Sequence, residues 1–284
     1  GFISFGGPAG QIAMMHQELV ERRRWISEHR YLHALNYCML LPGPEAIQLA
    51  IYISWLMHGV KGAVMAGVSF FLPAFVLLSV LAGVYLNFGD VPAVQGIFYA
   101  IKPSVVAVVL FAAWRIGSKS IKNGVLLGIA ALAFIGIFVF DLDFPWIVLG
   151  AAILGAVGGK LMPAKFKAGG GHGASNKAYG PALIDDDTPP PAHAKFTWTK
   201  LAVTTLVFAA IAAASLLALR GSTDLYNMGE FFLKAAFLTI GGAYAVLPYV
   251  YQGAVDHFTW LTGPQMMDGL ALGETTPGPL IMIV

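Results

Sequence analysis

The stretch Leu41-Pro42-Gly43-Pro44-Glu45-Ala46 lies within an otherwise apolar run, and 235 residues later Thr276-Pro277-Gly278-Pro279 repeats its core. Each proline removes a backbone donor and clashes with the preceding turn, while the glycine between them adds conformational freedom. The helix is expected to break at both places. Working outward without gaps, the same shift superposes Phe2 on Phe237, Gly6-Gly7 on Gly241-Gly242, Gln17 on Gln252, Trp25 on Trp260 and Leu35 on Leu270. Small apolar residues match by chance, but a tryptophan, a double glycine and a Pro-Gly-Pro in one register do not. The chain carries an internal duplication, the usual plan of secondary transporters.

Composition sets the solvent. Of 284 residues 57% are hydrophobic and 11% charged, against roughly 25% charged in soluble domains. Gly62–Leu86 has no Asp, Glu, Lys or Arg in 25 residues and Leu201–Leu219 none in 19, and about 20 apolar residues cross a bilayer as a helix. Full spans are expected near Gly62–Leu86, Val91–Trp114, Gly124–Phe140, Pro145–Leu161, Leu201–Leu219 and Phe231–Tyr251. Interrupted segments lie at Leu32–Met57 and Met266–Val284. The fold class is therefore an all-α polytopic transmembrane protein with two homologous halves and broken Pro-Gly-Pro helices. The lipid bilayer is its first partner.

Between the halves, Pro163–Lys200 contains Gly169-Gly170-Gly171, Asp185-Asp186-Asp187 and Pro189-Pro190-Pro191, the composition of a flexible, solvated linker. The organisation expected is a first repeat over 1–162, a linker over 163–200 and a second repeat over 201–284. The opening Gly1-Phe2-Ile3 and the closing apolar Ile281-Met282-Ile283-Val284 lead to the expectation that both ends are cut and that about a hundred further residues would complete the second copy.

Basic loops set orientation. Arg22-Arg23-Arg24 with Arg30, the cluster Arg115, Lys119 and Lys122, and the linker lysines are expected to be cytoplasmic. The second copy's loop, Ala254–Gly263, has no Lys or Arg, a contrast that points to an inverted repeat. Span counting leaves the parity open: six crossings between the loops give parallel copies and seven give inverted ones.

The candidate binding residues follow from these breaks. In hydrocarbon, freed backbone groups are tolerated where they line a cavity, and a half-helix amino terminus offers amides and partial positive charge to an anion. This selects Pro42, Gly43, Pro44, Pro277, Gly278 and Pro279; a kink without ligand contact is the plainer alternative. Gly6, Gly7, Gly241 and Gly242 either open the backbone towards a substrate or let helices pack closely. Charge within apolar segments is a functional candidate by default, giving Glu45, Lys102, Lys234 and Glu274. Lys102, deep in its segment and followed by Pro103, would neutralise a dianion or pair with a carboxylate such as Glu45. Lys234 reads as a snorkelling, mainly structural residue. Glu45 and Glu274 carry a coupling proton or cap the nearby half helix.

Other classes are set aside. A net charge of +2 is no nucleic-acid footprint. His29 and His33 share a helix face but lack the glutamate of a metalloprotease motif, so no metal is expected. The single cysteine, Cys38, excludes an internal disulfide or dithiol. Neither facing haem histidines nor a dinucleotide loop is present, so the expectation is no cofactor and no enzyme. Trp55, Trp114, Trp146 and Trp260 suit an interfacial belt.

The runs Phe5-Gly6-Gly7-Pro8-Ala9-Gly10-Gln11, Glu21-Arg22-Arg23-Arg24-Trp25-Ile26, Leu41-Pro42-Gly43-Pro44-Glu45-Ala46 and Phe71-Leu72-Pro73 resemble the amino-terminal signature of the chromate ion transporter family, of the long two-domain type. Ile240-Gly241-Gly242-Ala243-Tyr244-Ala245-Val246-Leu247-Pro248 and Gly273-Glu274-Thr275-Thr276-Pro277-Gly278-Pro279 resemble its carboxy-terminal signature. Ser54 stands where the pattern has glycine. The resemblance implies oppositely oriented domains in a bacterial inner membrane, and export of chromate driven by the proton-motive force, conferring chromate resistance. Protons are then a second partner, and homo-oligomers are compatible with it. Another tetrahedral oxyanion such as sulfate, or a passive anion channel, remains the alternative.

Overall fold

The computed structural model describes residues 7–89, 91–163, 166, 179–239, 243–276 and 278, apart from the side chains of some helical residues. Of the candidate binding residues, Gly6, Gly241, Gly242, Pro277 and Pro279 lie outside this set, as do the side chains of Lys102 and Glu274 and linker residues 164–165 and 167–178. All the regular structure among the described residues is helical, apart from one isolated β-bridge. Two compact units are formed, Gly1–Pro73 with Ala174–Val246, and Ala74–Gly173 with Leu247–Val284.

In the first unit, α1 (Gly7–His16) runs into a π-helical turn, Gln17–Arg22, and after a short loop α2 (Glu28–Cys38) begins. Ser27 caps α2 by accepting a hydrogen bond from the Arg30 amide at 3.2 Å, satisfying one donor that a helix start leaves open. Helix α3 spans Glu45–Phe88 and changes direction at Gly59, whose φ of 63° and ψ of −152° suit glycine alone. Val20, Ile26, Tyr31, Leu35, Leu49 and Ile53 form a fully enclosed apolar cluster. Helices α4 (Pro92–Ser120), α5 (Gly124–Phe138) and α6 (Phe144–Leu161) belong to the second unit, with α5 packed on α6. Helix α4 passes through Pro103 without a break. Helices α7 (Trp198–Leu219) and α8 (Thr223–Leu238) pack together in the first unit. The chain continues through α9 (Ala243–Tyr251), a π-helical turn over Gln252–His257, and α10 (Gly263–Thr275), which packs on α4.

Helices Glu45–Phe88, Phe144–Leu161 and Trp198–Leu219 are long and apolar enough to cross a membrane. Their large side chains are turned outward in numbers that water would penalise, among them Val64, Phe75, Trp146, Leu206 and Phe208. A hydrocarbon solvent removes that penalty.

The structure alters two expectations. Phe231–Tyr251 is not one continuous span: α8 stops at Leu238, Thr239 leaves the helical region with ψ 68°, and α9 starts afresh at Ala243. Unbroken apolarity reports solvent, not backbone continuity. The linker, in turn, is not wholly a solvated spacer. From Tyr179 it lies against the first unit: Leu183 N and Ile184 N donate to Arg24 O at 2.8 Å and Trp25 O at 3.0 Å, and Ser27 N donates back to Ile184 O at 3.0 Å. Ser27 Oγ donates to Asp186 Oδ1 at 2.5 Å, and Arg30 Nη2 donates to the carbonyls of Asp186 and Thr188. Tyr179 and Ile184 pack on the apolar cluster, and the His193 ring meets Trp55 O at 2.7 Å. A composition poor in apolar residues cannot build its own core, but it can be held by the unpaired backbone of a neighbouring loop.

The duplication is visible in the backbone. Both π-helical turns keep the 235-residue shift, each closed by a five-residue hydrogen bond, Arg23 N to Glu18 O at 2.9 Å and Phe258 N to Gly253 O at 2.8 Å. The next residues but one, Arg24 and Thr259, both have positive φ, 54° and 51°. Thr262 caps α10 as Ser27 caps α2, accepting from Gln265 N. Gly43 and Gly278, at the centres of the Pro-Gly-Pro elements, have φ of 119° and 137°.

Candidate functional site: two broken helices

The first break separates α2, ending at Cys38, from α3, beginning at Glu45, as the Pro-Gly-Pro chemistry predicts. It meets the break that follows α8. Gly43 N donates to the carbonyl of Thr239 at 2.7 Å, and the fully buried Thr239 turns its hydroxyl back to Ala235 O at 2.7 Å. On the first turn of α3, Gln48 Nε2 donates to Pro42 O at 2.6 Å. These three donors are thus engaged, whereas two acceptors, Glu45 Oε2 and Gln48 Oε1, are buried with no hydrogen-bond partner among the described residues. Glu45 itself is only 8% exposed.

The second break follows α10, which ends at Thr275 with Glu274 in its last turn. A Cβ on Gly278 would lie 2.3 Å from Ala74 Cβ, so both backbone angle and space demand glycine there. Lys102 belongs to α4, the helix packed on α10. Lys234 forms an exposed pair with Glu230 at 2.6 Å. Gly7 is the first residue of α1.

Three residues escaped sequence reasoning. Thr239 is one; its partner under the repeat shift is Ser4, so two hydroxyls precede the paired double glycines, and that match was the available signal. Gln11, quoted above only as the end of a signature run and given no role, is the second, 2% exposed on α1. Asp268 is the third: 6% exposed in α10, its Oδ2 accepts from Tyr85 Oη at 3.0 Å. Its repeat counterpart is the exposed His33, so comparison of copies gave no hint. Among the described residues no group of His, Cys, Asp and Glu is arranged to hold a metal ion.

Long apolar helices, together with helices interrupted by tight breaks that keep polar side chains buried, define an integral membrane protein of the transporter class. The chain belongs to the chromate transporter family, whose model matches residues 1–156 and 226–284. It is 30% identical to the chromate transport protein of Cupriavidus metallidurans, over 100% of this chain and 63% of that protein. Identity is 33% to the chromate transport protein of Pseudomonas aeruginosa, over 99% of this chain and 62% of the relative. With the probable chromate transport protein of Synechococcus elongatus it is 28%, over 99% and 64%. The chain thus spans less than two thirds of the length of these relatives. No solved structure matches it.

Proposed function

We propose that this chain is the greater part of a secondary carrier that exports chromate across a bacterial inner membrane, drawing on the proton-motive force and conferring chromate resistance. The observation that carries the reading is family membership across both halves, in a chain whose apolar helices break at repeated Pro-Gly-Pro elements. The first repeat occupies 1–162, the linker 163–200 and the second repeat 201–284, with the basic loops and linker cytoplasmic. In the second unit, Lys102, on the helix packed against α10, supplies the positive charge that a dianion needs in a medium of low dielectric. At the Pro277-Gly278-Pro279 break the Gly278 amide is the backbone donor towards the oxyanion, since the two prolines have no N–H. Gly6, Gly7, Gly241 and Gly242 admit close backbone approach.

The test is uptake of labelled chromate by everted membrane vesicles containing the full-length protein, with and without an uncoupler. Uptake that the uncoupler abolishes is expected, with excess sulfate competing weakly. Equal flux with the gradient collapsed would indicate a passive channel, and sulfate competing on equal terms would indicate a general oxyanion carrier.

A further inference from the structure

We infer that Glu45 and Gln48, at the first break, bind the coupling proton, with the Glu45 carboxylate as its acceptor. The assignment rests on the proton-coupled reading above and names the residue that reading lacks. It begins from a count of donors and acceptors. Gly43 N is taken by Thr239 O, the Thr239 hydroxyl by Ala235 O, and one N–H of Gln48 Nε2, which lies towards the exposed side, by Pro42 O. Among the described residues, the buried side-chain atoms of the junction left without a partner are both acceptors, Glu45 Oε2 and Gln48 Oε1. An oxyanion adds further acceptors and leaves both unmet. Two buried orphan acceptors call for a donor.

One proton meets the demand of both. Glu45 and Gln48 stand three apart on the first turn of α3, and residues at that spacing are neighbours on one helix face. A proton on Glu45 Oε2 converts that oxygen from acceptor to donor, and the amide oxygen Gln48 Oε1 is an acceptor. The Gln48 amide is held in that orientation because its other end is anchored on Pro42 O. The step is balanced: the carboxylate gains one proton from the side at higher proton activity, forming an O–H bond, and loses it to the other side, restoring the carboxylate. Proton occupancy thereby acts on the break itself, since Gln48 ties Pro42 to α3.

Titratable and charged groups occur on each surrounding element: α2 carries Glu28, His29 and Arg30, the last within electrostatic reach of Tyr52, and α8 carries Asp224 and Tyr226. Cys38, buried at the end of α2, lies within electrostatic reach of Glu45. Tyr37 and His33 on α2 are exposed, Tyr52 stands two turns along α3, and Lys234 on α8 is held by Glu230.

Two measurements on the full-length protein in proteoliposomes test this. The first is chromate flux with an imposed proton gradient, divided by flux without one. In Glu45→Gln the residual flux is expected to lose its acceleration by the gradient, from roughly tenfold to none, while Glu45→Asp keeps part of it and Gln48→Met falls between them. The second does not involve chromate: the infrared band of a protonated carboxyl in wild type is expected to vanish in Glu45→Gln and to shift in Gln48→Met. Gradient acceleration or a carboxyl band that survives unchanged in Glu45→Gln overturns the inference. Acceleration by a sodium gradient and not by a proton gradient overturns it as well. An absence of chromate flux alongside a Glu45-dependent band would leave the proton site standing and bring down the transport reading.

Discussion

Replacing Gly278 by alanine loads the second break in two ways that can be measured apart. The φ of 137° at this position disfavours any side chain, by about 1–3 kcal/mol. The new Cβ would also sit 2.3 Å from Ala74 Cβ, far inside the ordinary carbon contact of about 3.5–4.0 Å. Ala74 is 1% exposed, and its β-carbon is fixed to a helix, so it has no rotamer by which to yield. Overpacking of this kind costs about 1–3 kcal/mol more, making the expected loss about 2–6 kcal/mol. Ala74→Gly removes the obstructing carbon and leaves Ala74 Cα 3.5 Å from the new Cβ, at about 1 kcal/mol for a glycine inside a helix. The assay is thermal unfolding of purified full-length protein in detergent, for wild type, both single variants and the double variant. Gly278→Ala/Ala74→Gly is expected to be more stable than the sum of the single losses implies, by about 1–3 kcal/mol, without regaining wild-type stability because φ strain persists. Strict additivity would refute the close approach.

Lys102→Met should lower chromate flux per unit of protein roughly tenfold or more, since a charge-assisted contact is worth about 1.5–3 kcal/mol, with Lys102→Arg keeping part of it; wild-type flux in the Met variant would exclude the charge from binding. Deleting Tyr179–Thr188 should lower the unfolding temperature and open the Arg24–Arg30 loop to protease, whereas deleting 168–177 should leave both unchanged. Asp185, whose carboxyl accepts from Ala182 N and Asp186 N, is held by those bonds below its ordinary value of 3.8. Its contribution is therefore complete above about that pH and lost as pH falls through the depressed value, so hydrogen exchange at Leu183 and Ile184 should rise only in stronger acid, with no such step in Asp185→Asn. Tyr85→Phe, which deprives buried Asp268 of a donor, should cost about 1–3 kcal/mol in the same unfolding assay.

The sequence was most legible where chemistry repeats. The matched register of Trp25 with Trp260 and of the two Pro-Gly-Pro elements located both breaks, because proline and glycine act on the backbone directly and leave the same mark wherever they fall. Long charge-free runs such as Gly62–Leu86 gave helices for an equally direct reason, since hydrocarbon admits little else. The break after α8 was hidden because Thr239 and Ile240 are as compatible with a helix as with its end; the adjoining double glycine was noticed but had two readings. Docking of Tyr179–Thr188 was hidden because it depends on backbone edges of the Arg24–Ser27 loop, which composition does not record. The setting of Glu45 was half legible. Its position beside Pro-Gly-Pro marked it, but only geometry showed its carboxylate oxygen buried without a partner among the described residues.

The paired π-helical turns date the molecule's parts relative to one another. A turn of that kind, the left-handed residue after it and a hydroxyl cap three residues on occur in both copies, so the gene that was duplicated already encoded them. The aromatic step beside each turn shows where the copies differ. Arg23 lies over the Trp25 ring at 5.1 Å, and in the second copy Phe258 stacks on Trp260 at 4.4 Å. Both copies have a contact on the tryptophan, charged in the first and uncharged in the second. The two copies thus share these backbone features and differ in electrical character.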